Sequence, residues 1–347
     1  MKEAEVLEQR AMARPGTRIA SGGGRGSRVS KAGPRLIVWW AVPAGLYLIV
    51  LLLLRPSLSQ PLADLTGLSL RLFLGALILY AGSMVAYFAF FAYRKEQLRR
   101  VALALVLPGV PLHLFSIVAR GFADGHYPLG NMYEYSSMFA ATAVLAFLLI
   151  TARYPVAALG GGLALFAAVA LMGSGLALYQ GPEPLIPALQ SYWLRIHVTS
   201  MMLSSGVLVS SFVFAVLYLI KDRSQSPKSW LFQSGAAARL PSPATLDWLT
   251  SRAIMLGFPI WTFGTVAGAI WGSYAWGRWW GWDPKETWAA ITWMVYAVYL
   301  HAHAARGWRG RRTTLIAIAG FVSILVTLYA VNLWIVGLHS YARGGSG

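Results

Sequence analysis

Five of the chain's fifteen tryptophans fall in the run Trp276-Gly-Arg-Trp-Trp-Gly-Trp-Asp-Pro-Lys-Glu-Thr-Trp288, between two hydrophobic stretches. Tryptophan gathers at membrane–water interfaces because the indole buries its body and keeps its N–H wet. A simple interfacial belt spreads such rings over several helix ends. This run instead concentrates Trp276, Trp279, Trp280, Trp282 and Trp288, with Gly277 and Gly281 where the backbone must turn closely. Flat, electron-rich rings held together suit a large planar aromatic ligand gripped by stacking. Within the run, Asp283 reads as a helix N-cap, Pro284 as the first helical residue and Glu286 as the return arm of a capping box. Such a start decides how Trp282 and Trp288 point. Arg278 and Lys285 have two readings, as solvated loop charges or as partners for anionic groups on the ligand, such as porphyrin propionates.

The six histidines add a second chemistry. His197 opens a hydrophobic stretch in Trp193-Leu-Arg-Ile-His197, and His339 follows one in Gly337-Leu-His339-Ser-Tyr. Each reads either as an axial ligand of an iron porphyrin or as an interfacial histidine satisfied by water or a carbonyl. His301 lies thirteen residues beyond Trp288, hence ~20 Å further along one helix at ~1.5 Å per residue. An ionisable side chain at that depth of a bilayer is a functional candidate. His303 stands about 200° around the helix from it, so only one of the two can face a given site. His113, between Pro111 and Phe115, reads as a packed, hydrogen-bonded histidine.

The elements that must hold these groups are membrane helices. With 57% hydrophobic residues and a mean hydropathy of +0.57, the 347-residue chain is too apolar for a soluble domain. Hydropathy predicts nine spans, at 36–54, 72–92, 101–119, 136–152, 156–178, 196–220, 253–273, 288–305 and 314–336, near the length of about 20 residues that a bilayer demands. The fourth is short. The fold class is therefore all-α, a polytopic integral membrane protein of about nine transmembrane helices. Placing the N-terminus inside puts 22 of the 29 Lys and Arg in inner segments and seven outside, while the acidic residues divide six and six. Positive charge sets orientation, so the topology is N-in and C-out. His197, His339 and the tryptophan run then share the outer face, and His301 sits in the inner half.

Residues 1–35 read as a disordered basic cytoplasmic tail, and not as a signal peptide, because the first apolar stretch is long enough to span. Residues 36–342 form one transmembrane domain carrying the run 276–288, and 343–347 read as a terminal linker or scar. The net charge of +17 follows the loops of a membrane protein and is no sign of nucleic acid. The absence of cysteine excludes disulfides, thiolate ligands and haem attached covalently to this chain. There is no P-loop motif. The interiors of the predicted spans lack Asp, Glu, Lys and Arg, which disfavours an ion-coupled pump.

The tryptophan run resembles the "WWD" signature of haem-handling proteins, and its Asp-Pro-Lys-Glu-Thr-Trp ending is similar to the CcsA/ResC family of cytochrome c biogenesis, system II. Supporting segments are Gly125-His126-Tyr-Pro128-Leu-Gly-Asn131-Met-Tyr133-Glu134 and the Gly-Leu-His-Ser-Tyr end, so the resemblance covers about residues 70–342. It implies that His197 and His339 are axial ligands of non-covalent haem b held at the tryptophan run, with Trp276, Trp279, Trp280, Trp282, Asp283, Trp288 and Arg278 around it. It further implies that His301 meets haem arriving from the cytoplasmic side. The chain carries His303 where the family often has Arg, which leaves His301 and His303 as alternatives. The implied function is that of a haem-handling subunit of a holocytochrome c synthase (haem lyase) in the bacterial cytoplasmic membrane. Implied partners are a CcsB/ResB-like membrane protein, apocytochrome c and thiol-reducing maturation factors. No nucleophile or acid/base pair is visible, so no catalytic residue is assigned.

Two other functions compete. A system I haem-delivery protein of the CcmC or CcmF type is disfavoured by the Pro-Lys-Glu-Thr-Trp continuation. A b-type cytochrome electron carrier requires histidines paired at matching depth, and His113 and His301 fall in opposite halves of the bilayer.

Overall fold

The computed structural model describes residues 43–54, 64–154, 159–226, 237, 240–305 and 307–339. The predicted tail 1–35, the start of the first predicted span and the end segment 343–347 lie outside the described residues. Nine helices of ten residues or more are present among the described residues: α1 (Pro43–Leu54), α2 (Leu65–Tyr93), α3 (Glu96–Asp124), α4 (Met132–Arg153), α5 (Gly160–Ala177), α6 (Tyr192–Arg223), α7 (Pro243–Trp276), α8 (Pro284–Ala305) and α9 (Arg311–Trp334). Seven of them, α2 to α7 and α9, are long and apolar enough to cross a membrane. The chain is an all-α, multi-pass membrane protein. α8 has 22 residues, and its tryptophans, tyrosines and two histidines make it less apolar than its neighbours.

Six helices, α2, α3, α4, α6, α7 and α8, outrun the hydropathy windows that predict them, because intrahelical hydrogen bonding continues through polar residues at the ends. The predicted fourth span stops short at polar residues that α4 in fact includes. Asn131 caps α4 by accepting the Glu134 N–H at 3.0 Å, and Glu134 Oε2 accepts the Gly130 N–H at 2.7 Å. This extension reveals a buried ionic group that the predicted span interiors exclude. Arg120 Nε lies 2.7 Å from Asp124 Oδ2 and 3.0 Å from Glu134 Oε1, and its Nη2 donates to the Gly181 carbonyl at 2.8 Å. One guanidinium thus ties α3, α4 and the segment after α5. Removing one partner of such a buried group typically costs about 3–5 kcal/mol.

Two hairpins dominate the packing, α2 against α3 and α6 against α7, with α4 packed on α5 and α6, and α9 on α8 and α6. Small residues allow the close approach expected where hydrocarbon surrounds the helices. A Cβ on Gly257 of α7 would come 2.8 Å from Leu208 of α6, and one on Gly206 would come 2.6 Å from the Thr142 backbone of α4. Ser204 donates across the α6–α7 seam to the Gly257 carbonyl at 2.7 Å. One end of this bundle carries both the tryptophan run and the Arg120 group.

Candidate functional site

The site grows from the α6–α7 seam. His197 Nδ1 lies 2.7 Å from the Gly264 carbonyl of α7, a pairing in which the ring nitrogen must donate. That contact needs Gly268, where a Cβ would sit 2.7 Å from the His197 ring. With the proton on Nδ1, the lone pair of His197 is on Nε2. The Trp271 indole stacks beside it, ring centroids 6.0 Å apart at 13°. Trp271 is itself buried, its Nε1 donating to the Ala188 carbonyl at 3.0 Å.

α7 ends at Gly277 in the left-handed conformation, φ 70°, and the chain turns back toward α8. Trp282 also has positive φ, 58°, a strained backbone for a bulky residue. Glu286 holds this turn, its Oε2 accepting the N–H groups of Gly281 at 2.8 Å and Asp283 at 3.1 Å. Glu286 is therefore the predicted return arm of the capping box. The other arm differs from expectation: the Lys285 N–H reaches Asp283 only at 3.4 Å. Asp283 is instead directed at the end of the chain, accepting the Leu338 N–H at 2.8 Å and bonding His339 Nδ1 at 2.7 Å. Burial pushes the Asp283 carboxyl up, but the His339 hydrogen bond and the backbone N–H groups outweigh it and bring it down to about 2. Burial lowers the His339 imidazole from its ordinary value, with Asp283 opposing. The pair is thus carboxylate and neutral imidazole, with Nδ1–H donated and the lone pair on Nε2.

His197 and His339 meet the same indole. The His339 ring lies 5.7 Å from Trp271 and 4.8 Å from Trp276, both edge-on. Around them is a cleft of about 880 Å³, counting its open mouth, lined by His197, His339, Trp261, Trp271, Trp276, Trp279, Trp280, Lys285 and Glu286, with Tyr135 and Leu328 below. α9 contributes Thr327 and Leu328 from a turn of π-helix, Val326–Ala330, an irregularity frequent at functional positions.

Of the predicted site residues, His197, His339, Trp276, Trp279 and Trp280 come together in this cleft, and Asp283 stands behind His339. Trp282 does not line it: its side chain is 71% exposed and edge-on to Trp280. Trp288 also lies off the lining, and Arg278 packs over Gly281 with its guanidinium 3.9 Å from Glu286. His301 is far along α8, on the exposed stripe of Met294 and Val298. His303 turns inward, stacked on Tyr299 at 5.6 Å and 3.7 Å from Asp247 of α7. His113 is buried against Phe73 and Tyr80, 3.0 Å from Ser137 Oγ. Sequence reasoning missed Trp271, Trp261 and Tyr135 as lining residues. The signal for Trp271 was its position five residues before Trp276; nothing local marks the other two.

Residues 129–339 match the family described as Cytochrome C assembly protein. The cytochrome c biogenesis protein CcsA of Synechococcus sp. (strain CC9605) is 36% identical over 309 residues, covering 82% of this chain and 98% of the relative. CcsA of Parasynechococcus marenigrum (strain WH8102) is 37% identical over 308 residues, again covering 82% and 98%. Among solved structures, the cytochrome c heme lyase CcmF is similar with a TM-score of 0.59 and 20% identity over 76% of this chain, a likeness of fold that spans 46% of that chain.

Proposed function

This chain belongs to the cytochrome c assembly protein family, in its CcsA branch, and acts in cytochrome c maturation; from that premise we propose that it is the haem-handling subunit of a system II cytochrome c synthase. The single observation that carries the reading is the pair of imidazoles at Trp271, each with Nδ1–H committed to an acceptor at 2.7 Å and each lining the same tryptophan-walled cleft. Iron ligation asks for neutral imidazoles with defined tautomers, and a planar macrocycle asks for aromatic walls. The donor set therefore fits haem b held non-covalently.

His197 and His339 would hold the iron, and Trp276, Trp279 and Trp280 would flank the ring. Bound haem supplies vinyl groups to which the cysteine thiols of apocytochrome c add, forming thioethers. The chain's own residues bind and orient. The Gly264 carbonyl and the Asp283 carboxylate fix the two imidazoles, and the indoles shed water from the cleft. With 22 of 29 basic residues in inner segments, the cleft opens on the outer face of the bacterial cytoplasmic membrane. His301, exposed on α8 in the inner half, suits a second ligand from a CcsB/ResB-like partner.

The test is spectroscopic. The full-length chain, purified with and without that partner, should give a six-coordinate low-spin haem spectrum. His197→Ala and His339→Ala should each shift it to high spin and reduce cytochrome c maturation, and His301→Gly should be rescued by added imidazole in the complex. Unchanged spectra in both alanine variants would remove the ligand assignment.

A further inference from the structure

Lys285 is a cation of the cleft wall whose Nζ has no carboxylate within ion-pair distance among the described residues. It occupies the first turn of α8 and lines the cleft alongside both histidines. Its Nζ donates to Asn332 Oδ1 at 3.0 Å and lies 5.7 Å from the Tyr135 ring, and both of these partners are neutral. Asn332 is buried and spends its own amide N–H on the Leu328 carbonyl, so its orientation is fixed with the oxygen toward Lys285. The two nearby carboxylates are engaged elsewhere, Asp283 by His339 and Leu338, Glu286 by the Gly281 and Asp283 N–H groups and the Arg278 side. Among the described residues Lys285 makes no ion pair. A charge withdrawn from water in this way is unfavourable unless a counter-charge arrives with the ligand.

We propose that Lys285 is the anion-binding residue of the cleft and that it selects a planar ligand bearing a carboxylate at its edge. On the haem reading, on which this inference rests, that group is a propionate. Arg278, the other cation of the run, is positioned for Glu286 and lies off the cleft lining. A phospholipid headgroup offers the same anionic oxygen chemistry from a different source, and the experiment must separate the two.

The full-length chain in detergent is titrated with ferric haem and with its dimethyl ester, in which both propionates are neutral. Wild type should bind the free acid about tenfold or more tightly than the ester, as for the loss of a hydrogen bond to a charged group. Lys285→Met should bind both ligands equally, through the same histidine-dependent low-spin spectrum, while Lys285→Arg keeps part of the preference. The ligand-free Lys285→Met protein should melt at the wild-type temperature or above, since a buried charge with no ion-pair partner has gone. Equal binding of acid and ester by wild type, with the His197 and His339 spectrum intact, would overturn this inference and leave the haem reading standing. A failure of haem to bind at the histidines would sink both. Competition with haem by phosphatidylglycerol vesicles in wild type, lost in Lys285→Met, would overturn the carboxylate in favour of a lipid phosphate.

Discussion

At the residue scale, the two histidines are oriented by unlike acceptors. His197 is oriented by a backbone carbonyl, a neutral acceptor that can do little to its basicity. His339 is oriented by a carboxylate held ionised down to a pH of about 2. A carboxylate on the remote nitrogen raises the donor strength of the ligating one, and losing such a partner typically lowers metal affinity by about 10- to 100-fold. Asp283→Asn should therefore weaken haem binding by about that range and raise the reduction potential, while conserving the length of the side chain. Haem titration and redox potentiometry check this. An unchanged potential and affinity would mean that Asp283 serves only to tie the chain end to the start of α8.

At the element scale, what matters is how closely α6 and α7 approach. A methyl group on Gly268 would come 2.7 Å from the His197 ring, so Gly268→Ala should displace the imidazole, lower haem affinity and destabilise the fold by about 1–3 kcal/mol through overpacking. Gly173 of α5 meets nothing within 4 Å, and Gly173→Ala should be neutral or stabilising by about 0.5–1 kcal/mol. Thermal unfolding and haem titration of the two variants side by side separate helix propensity from seam geometry; equal behaviour would remove the role given to the seam. α8 shows the same logic at its other end. His303 stacks on Tyr299 of its own helix and comes within 3.7 Å of Asp247 of α7, whereas His301, two residues earlier, remains on the outer stripe.

At the scale of the whole molecule, the bundle sorts its polar chemistry to its ends. The Arg120 group, the capping carboxylate Glu286 and both cleft histidines share one end with the tryptophan run, and Asp247, His303 and Arg309 share the other. In the proposed topology, drawn from the distribution of basic residues, the first end is the outer one. A reporter inserted near Gly281 should then be accessible externally, and one fused after Gly310 should be cytoplasmic. Accessibility of both from one side would contradict the topology and separate the cleft from any external acceptor of haem.

Composition and periodicity alone determined a multi-pass helical membrane protein, because stretches of apolar residues near bilayer length have few other stable outcomes. The sequence also singled out the tryptophan run, His197 and His339 by residue type and position, and the fold brings His197, His339, Trp276, Trp279 and Trp280 into one cleft. The ends of the helices were not legible, since hydropathy stops at the first polar residues while the hydrogen-bond ladder runs on; Glu134 and Lys285 lie in that margin. Nor could spacing show which tryptophans face inward. Trp282 and Trp288 belong to the run yet leave the cleft, while Trp271 and Trp261 enter it from within α7, because direction depends on where the turn after Gly277 sends the chain. Tertiary structure alone decided that Asp283 would reach across 56 residues to His339 and that Lys285 would be buried beside neutral partners. Both follow from helices meeting at one end of the bundle, a long-range packing event that no local pattern encodes.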